Sequence, residues 1–274
     1  MGRVWSILFF LVPLAAIVTF LLAMFGVGPL KSAWLPESLT ATGDLIDRLF
    51  NGIHLLAAVI LLGTGLTIGF AIWKFDHRRN PNEKALYIHH NTKLEVVWSV
   101  IPAIILIVLA IVQMEAWEQN KMDRPTVSMG GVEVPAPPIV MVKAKRFGWE
   151  FYYAGKDGRV ETADDVYVEN LLVLPANEDI VLQLESRDVI HSFFVPELRI
   201  KQDIVPGMTQ FSWFNSRKIC DVEIICTELC GWGHYKMKGL LRLVSRQEFD
   251  QWLEEQSAEY LPELKSADSE PITP

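Results

Sequence analysis

Cysteine is scarce and late in this 274-residue chain: Cys220, Cys226 and Cys230 are the only three. With none earlier, an N-terminal lipoprotein cysteine is excluded and a disulfide framework is disfavoured. No Cys-x-x-Cys-His sequence occurs, so no fused c-type haem domain is present. Histidine is sparse too, and beyond residue 115 only His191 and His234 remain. The chain lacks apolar helices with paired histidines that would hold haem, and it has no internal repeat. Charge is missing altogether from three long runs, residues 4–27, 53–73 and 96–112.

Those runs are what the sequence has in place of charge. A helix crossing the hydrocarbon layer needs about 20 apolar residues; all three qualify, the third narrowly and with Pro102 inside it. The first follows Arg3, as a secretory signal would. It is long for one and no small-x-small cleavage site follows, so it reads as a retained span or signal anchor. Residues 74–93 carry Lys74, Arg78, Arg79, Lys84 and Lys93 against Asp76 and Glu83. Positive loops stay in the cytoplasm, which places this loop and the N-terminus inside and everything after about Met114 outside. The expected order is an extra N-terminal span over 1–28, an exterior linker over 29–50, and a helical hairpin over 51–114. An exterior domain over 115–245 and a C-terminal helix with a loose tail over 246–274 complete it.

Residues 115–274 hold 17 Lys/Arg and 27 Asp/Glu, a net of −10, against −8 for the whole chain. So acidic an exterior makes nucleic acid a poor partner and favours a basic one. Short β-branched and aromatic segments at 138–144, 149–153, 166–174, 180–184, 211–214, 222–225 and 240–244, separated by turn residues, predict an all-β sandwich or barrel. Residues 246–256 are amphipathic and predict a helix; 261–274 predict a loose tail.

Metal-binding residue types converge in one stretch. Cys226, Cys230, His234 and Met237 fall within twelve residues, and His191 lies 35 residues before Cys226. Thiolate and thioether with imidazole select copper, whereas zinc takes four Cys and His ligands without Met. A mononuclear blue-copper site uses one Cys, two His and a weak axial Met, so here there is one cysteine too many. Its natural use is to bridge a second copper, each ion then having both thiolates and one histidine. Met237 would then be a weak axial ligand of one ion, and a backbone carbonyl would serve the other. A Cys226–Cys230 disulfide is the competing use, and Cys220 reads as a buried free thiol.

With these residues the chain resembles the cytochrome c oxidase subunit II family, whose pattern is H…C-x-E-x-C-x-x-x-H-x-x-M, over about residues 50–255. The segments from Asp188 to Ser192, Lys201 to Gly207 and Leu94 to Pro102 agree as well. The resemblance implies a two-helix hairpin, here with one extra N-terminal span, followed by a cupredoxin-like Greek-key sandwich or barrel. It implies a dinuclear CuA centre on His191, Cys226, Cys230, His234, Met237 and the carbonyl of Glu228. The Glu228 carboxylate would reach a magnesium ion shared with subunit I. Trp149 would be the exposed entry point for electrons, Glu95 a proton-path carboxylate and Asp188 a donor-docking residue. The chain departs from the family at Gly148, Glu150 and Phe151, where further Trp is usual, and at Lys238, where Pro is common.

The implied function is electron input to a haem–copper oxidase in a bacterial-type inner membrane, the copper domain facing the periplasm. Electrons would come from cytochrome c or another soluble carrier and pass to haem in subunit I, with subunit III a further partner. There oxygen is reduced to water with proton pumping. The alternatives are the CuA subunit of a nitric oxide reductase, a non-redox structural subunit, and a membrane-anchored copper-binding or delivery protein.

Overall fold

A computed structural model describes residues 2–77, 81, 84 and 86–267. Arg78, Arg79 and Glu83 of the basic loop, and the tail beyond Ala267, lie outside the described residues. The chain divides into two units, Met1–Pro36 with Ile46–Glu115, and Glu37–Leu45 with Ala116–Pro274.

The first unit is helical: α1 (Gly2–Met24), α2 (Ala41–Phe75) and α3 (Thr92–Val112). Among the described residues three helices, the third counted with its continuation to Lys121, are long and apolar enough to cross a membrane. Helix α1 lies close on α2: the Ser6 hydroxyl donates to the Gly69 carbonyl at 2.8 Å, and a Cβ on Gly65 would come within 2.4 Å of the Pro13 ring. Glycine at 65 is what lets the two backbones approach, since a side chain there has no room. Helix α3 begins with a reciprocal cap: the Asn91 side chain accepts from the Leu94 N–H, and the Glu95 carboxylate accepts from the Asn91 N–H at 3.1 Å. Glu95 thus satisfies a helix-end donor that would otherwise be unpaired.

The stretch expected to be linker over 29–50 is helical from Ala41 onward. The signal is Thr40, whose hydroxyl accepts from the Gly43 N–H at 2.9 Å and starts the helix. Residues 37–45 belong to the second unit and are tied into it. The Leu39 N–H donates to the Glu197 carbonyl, the Arg217 N–H to the Leu39 carbonyl, and Arg217 pairs with Asp44 at 2.8 Å.

In the second unit a short helix α4 (Met114–Lys121) leads to a hairpin of β1 (Thr126–Met129) and β2 (Val132–Pro135). Ten further strands follow: β3 (Val140–Lys145), β4 (Gly148–Tyr153), β5 (Val166–Glu169), β6 (Leu171–Pro175), β7 (Asp179–Ser186), β8 (His191–Val195), β9 (Ile200–Ile204), β10 (Gln210–Asn215), β11 (Cys220–Cys226) and β12 (Lys238–Val244). They form two five-stranded sheets, ordered β10-β7-β3-β4-β5 and β6-β12-β11-β8-β9. This is the expected all-β domain following the apolar helices in the chain, with Trp149, Phe151, Leu172, Leu182, Phe193 and Leu241 in one shared core.

The segment expected as one strand over 166–174 is two, broken at Asn170, where φ is 56°. Asn tolerates this left-handed conformation. Its side chain accepts from the Trp149 N–H at 2.9 Å, so the chain leaves one sheet as β5 and enters the other as β6. Helix α5 (Arg246–Ala267) starts at a Ser245–Glu248 capping box. It runs past Gln256 to Ala267, into the first part of the segment expected to be loose. Phe249, 2% exposed, seals it against the core beside Tyr153.

Replacing Phe249 with Ala removes the ring that docks α5. The expected cost is about 3–5 kcal/mol of stability, read by denaturant unfolding of the full-length chain in detergent. A loss below about 1 kcal/mol would mean that α5 is not held by this contact.

Candidate metal centre

Three adjacent strands bring the donors together. Strand β11 lies between β12 and β8, and the Cys226–Phe193 register sets the end of β11 close to His191 at the start of β8. Past Cys226 the chain loops out through Cys230 and His234 and returns at Met237 to enter β12. The Cys226 N–H donates to the Met237 carbonyl at 3.2 Å and closes the loop at its base.

Inside this loop the Sγ atoms of Cys226 and Cys230 are 3.9 Å apart. Both thiols are free, so the disulfide alternative is not what the structure contains. His191 Nδ1 lies 3.8 Å from Cys226 Sγ, and His234 Nδ1 lies 3.6 Å from Cys230 Sγ. Met237 Sδ is 3.7 Å from Cys230 Sγ, and the Glu228 carbonyl oxygen is 3.3 Å from Cys226 Sγ. The donor atoms of His191, Cys226 and Cys230 lie within 4.8 Å of one another, and these residues are buried. The two sulfurs are central, and one imidazole flanks each. A donor set of this softness, already gathered, fits copper.

The thiols are inequivalent. Burial pushes Cys226 up, but the His191 ring, the backbone at Ser192 and Glu228, and His234 outweigh it and hold the thiol down at about 6. Burial and the neighbouring Cys226 charge push Cys230 up to about 11. The first proton leaves more readily than the second, whose loss sets a second charge beside the first.

Asp188 orients the first histidine. Its carboxylate lies 2.8 Å from His191 Nε2 and accepts from the backbone N–H groups of Arg146 and Val189. A carboxylate can only accept, so Nε2 carries a proton toward Asp188, and Nδ1 is the ring nitrogen that faces the sulfurs. Burial alone would raise Asp188; His191 and those N–H groups hold it below the usual carboxylate range. The residue expected as a docking charge also holds the His191 ring, a role that the spacing Asp-x-x-His carries. Cys220 lies half-buried in β11, opposite Leu243 and apart from the cluster. Glu95 is in the helical unit, where it caps α3.

Trp149 needs correction: it is 0% exposed. Its indole packs edge-on against Phe193, with centroids 5.6 Å apart, and 6.5 Å from the His191 ring. Strand β4 lies between β3 and β5, and the Trp149 side chain turns into the core between the sheets, where an entry point open to a donor cannot be. Trp232 and Tyr235, each 77% exposed, are the exposed aromatic residues of the loop from Cys226 to Met237, and Trp232 lies between Cys230 and His234. The Gly-Trp-Gly triplet of the ligand loop is the sequence signal for it. Phe147 covers that loop so closely that a Cβ on Gly233 would come within 2.5 Å of its ring. Glycine at 233 is therefore required by close approach.

Comparison with known proteins follows the same division. Residues 29–115 match the family described as cytochrome c oxidase subunit II, transmembrane domain, and residues 153–244 match its periplasmic domain. Cytochrome c oxidase subunit 2 of Alkalihalophilus pseudofirmus is 31% identical over 211 residues, 75% of this chain and 58% of that relative, so the match spans little more than half of its length. Alternative cytochrome c oxidase subunit 2 of Bradyrhizobium diazoefficiens is 28% identical over 250 residues, 83% of this chain and 86% of the relative. Among solved structures, the periplasmic domain of subunit II of cytochrome oxidase (CoxB) of Bradyrhizobium japonicum is similar at 26% identity. It covers 46% of this chain and 98% of its own, with a TM-score of 0.41.

Asp188→Asn keeps the shape and removes the fixed acceptor. Copper affinity of the full-length chain is expected to fall about 10–100-fold, measured by competition with a chelator. An unchanged affinity would show that the Asp188–His191 contact does not position the ligand.

Proposed function

From its membership of the cytochrome c oxidase subunit II family, to which this chain belongs, and from the geometry of the cluster, we propose that it is the electron-input subunit of a membrane haem–copper oxidase. The observation that carries the reading is the pair of free thiols 3.9 Å apart with an imidazole nitrogen beside each. Cys226 and Cys230 would both bridge two copper ions, His191 and His234 would bind one ion each, and Met237 and the Glu228 carbonyl would complete the set. A copper pair sharing two thiolates supplies a one-electron store whose bonds change little on reduction. The protein's part is to hold that store rigid. Strands β8, β11 and β12 fix the ligand positions, Asp188 fixes the His191 tautomer, and burial excludes water.

In this reading a soluble carrier such as a cytochrome c delivers the electron on the periplasmic face. The chain passes it to haem in subunit I, where oxygen is reduced to water with proton pumping, subunit III being a further partner. The helices hold the subunit in the bacterial inner membrane. The Glu228 carboxylate would face a magnesium ion shared with subunit I, an oxygen donor being suited to that cation. Glu95 would serve proton entry from the inner side.

The full-length chain, purified in detergent and loaded with copper, should hold two coppers, with hyperfine splitting shared between two nuclei in electron paramagnetic resonance. Cys230→Ser should abolish that shared splitting. One copper per chain in the unaltered protein would overturn the dinuclear reading.

A further inference from the structure

Trp232 lies between two ligands, two residues after Cys230 and two before His234, with its ring in solvent. It meets Phe147 edge-on, with centroids 5.1 Å apart and planes at 63°. Phe147 in turn rests on Gly231 and Gly233 of the ligand loop. A continuous aromatic contact thus runs from solvent onto the loop that supplies Cys230 and His234. Single exposed apolar residues are common and need no explanation. Leu229 and Tyr235 of the same loop are as exposed, and Trp232 is distinguished from them by its ring partner. Tryptophan is also the side chain that most often dominates protein contacts.

Two cations lie beside this group in a domain that is acidic as a whole. Residues 115–274 carry a net of −10, yet the Lys236 ammonium lies over the Trp232 ring, 5.1 Å from its centroid. Arg146 precedes Phe147, with its Nε 4.0 Å from Asp188. Asp188, beside Arg146, is engaged by His191, and Glu228 of the same loop is half-buried. At physiological salt, charges beyond about 8 Å are largely screened, so a docked partner responds to Lys236 more than to the distant acidic surface. Like charges brought together at an interface are costly.

We propose that Trp232, backed by Phe147, is the contact through which the electron enters this subunit, and that the fitting donor is a soluble redox protein whose exposed redox group is rimmed by apolar and acidic side chains instead of lysines. The proposal rests on the electron-input reading above. The donor's reduced group loses one electron and the copper site gains it; no bond to Trp232 forms or breaks, and no proton moves.

The test uses the full-length, copper-loaded chain in detergent. It is mixed in stopped flow with two reduced probes: a small c-type cytochrome with a lysine-rich haem edge, and one with an acidic haem edge. Donor affinity is measured separately by titration. The acidic-edged probe should react faster at low salt and slow as salt rises. Trp232→Ala should weaken donor binding and slow transfer by about tenfold or more with copper content and absorption spectrum unchanged, and Trp232→Phe should restore part of the loss. Lys236→Glu should reverse the preference between probes. Unchanged binding and rates in Trp232→Ala would overturn the entry assignment. A faster lysine-edged probe, indifferent to Lys236→Glu, would overturn the donor chemistry. Metal analysis before mixing separates these results from failure of the parent reading: a chain without two coppers overturns both.

Discussion

Two sulfur atoms held 3.9 Å apart in a buried pocket are the constraint to which the rest of this domain answers. Like charges at that separation repel strongly once water is excluded, so the pair is comfortable only with a proton or a cation between them. The fold supplies the opposing scaffold. Cys226 is fixed by the ladder between β11 and β8, and Cys230 by a loop whose ends are joined by the Cys226–Met237 backbone bond. The histidines and the thioether are carried on those same elements. Ligand positions therefore depend on strand pairing more than on the metal, which is how a site can accept and release charge without reshaping.

Much of this was legible in the sequence because metal chemistry is local in type. Cysteine, histidine and methionine at 226, 230, 234 and 237 have few other reasons to gather, and the distant His191 was marked by its family context. The apolar runs and most strands were legible from composition and alternation. What escaped depends on single residues acting through space. Thr40 starts a helix inside what looks like linker, and Asn170 divides one β-branched run between two sheets. Trp149 shows the limit most clearly, since an aromatic motif does not say which ring faces water. That is decided by the sheet to which β4 belongs and by Phe193 across the core.

Charge shows a similar gap between sum and place. The net charge of the exterior residues is a property of composition, and long-range approach responds to it. Contact responds to a few side chains, and near the ligand loop these include Lys236 and Arg146. A partner inferred from the total and a partner inferred from the rim are different proteins, and coordinates are needed to tell them apart.

The Phe147 ring over Gly233 has an evolutionary consequence. The two positions lie far apart in the chain, yet one occupies the volume that the other gives up. Neither is free to drift alone: a side chain at 233 requires a smaller residue at 147, and a smaller residue at 147 uncovers the ligand loop. Substitutions at this pair are therefore compensatory, and a lineage that loses the ring should acquire its own cover for the metal loop in the same step.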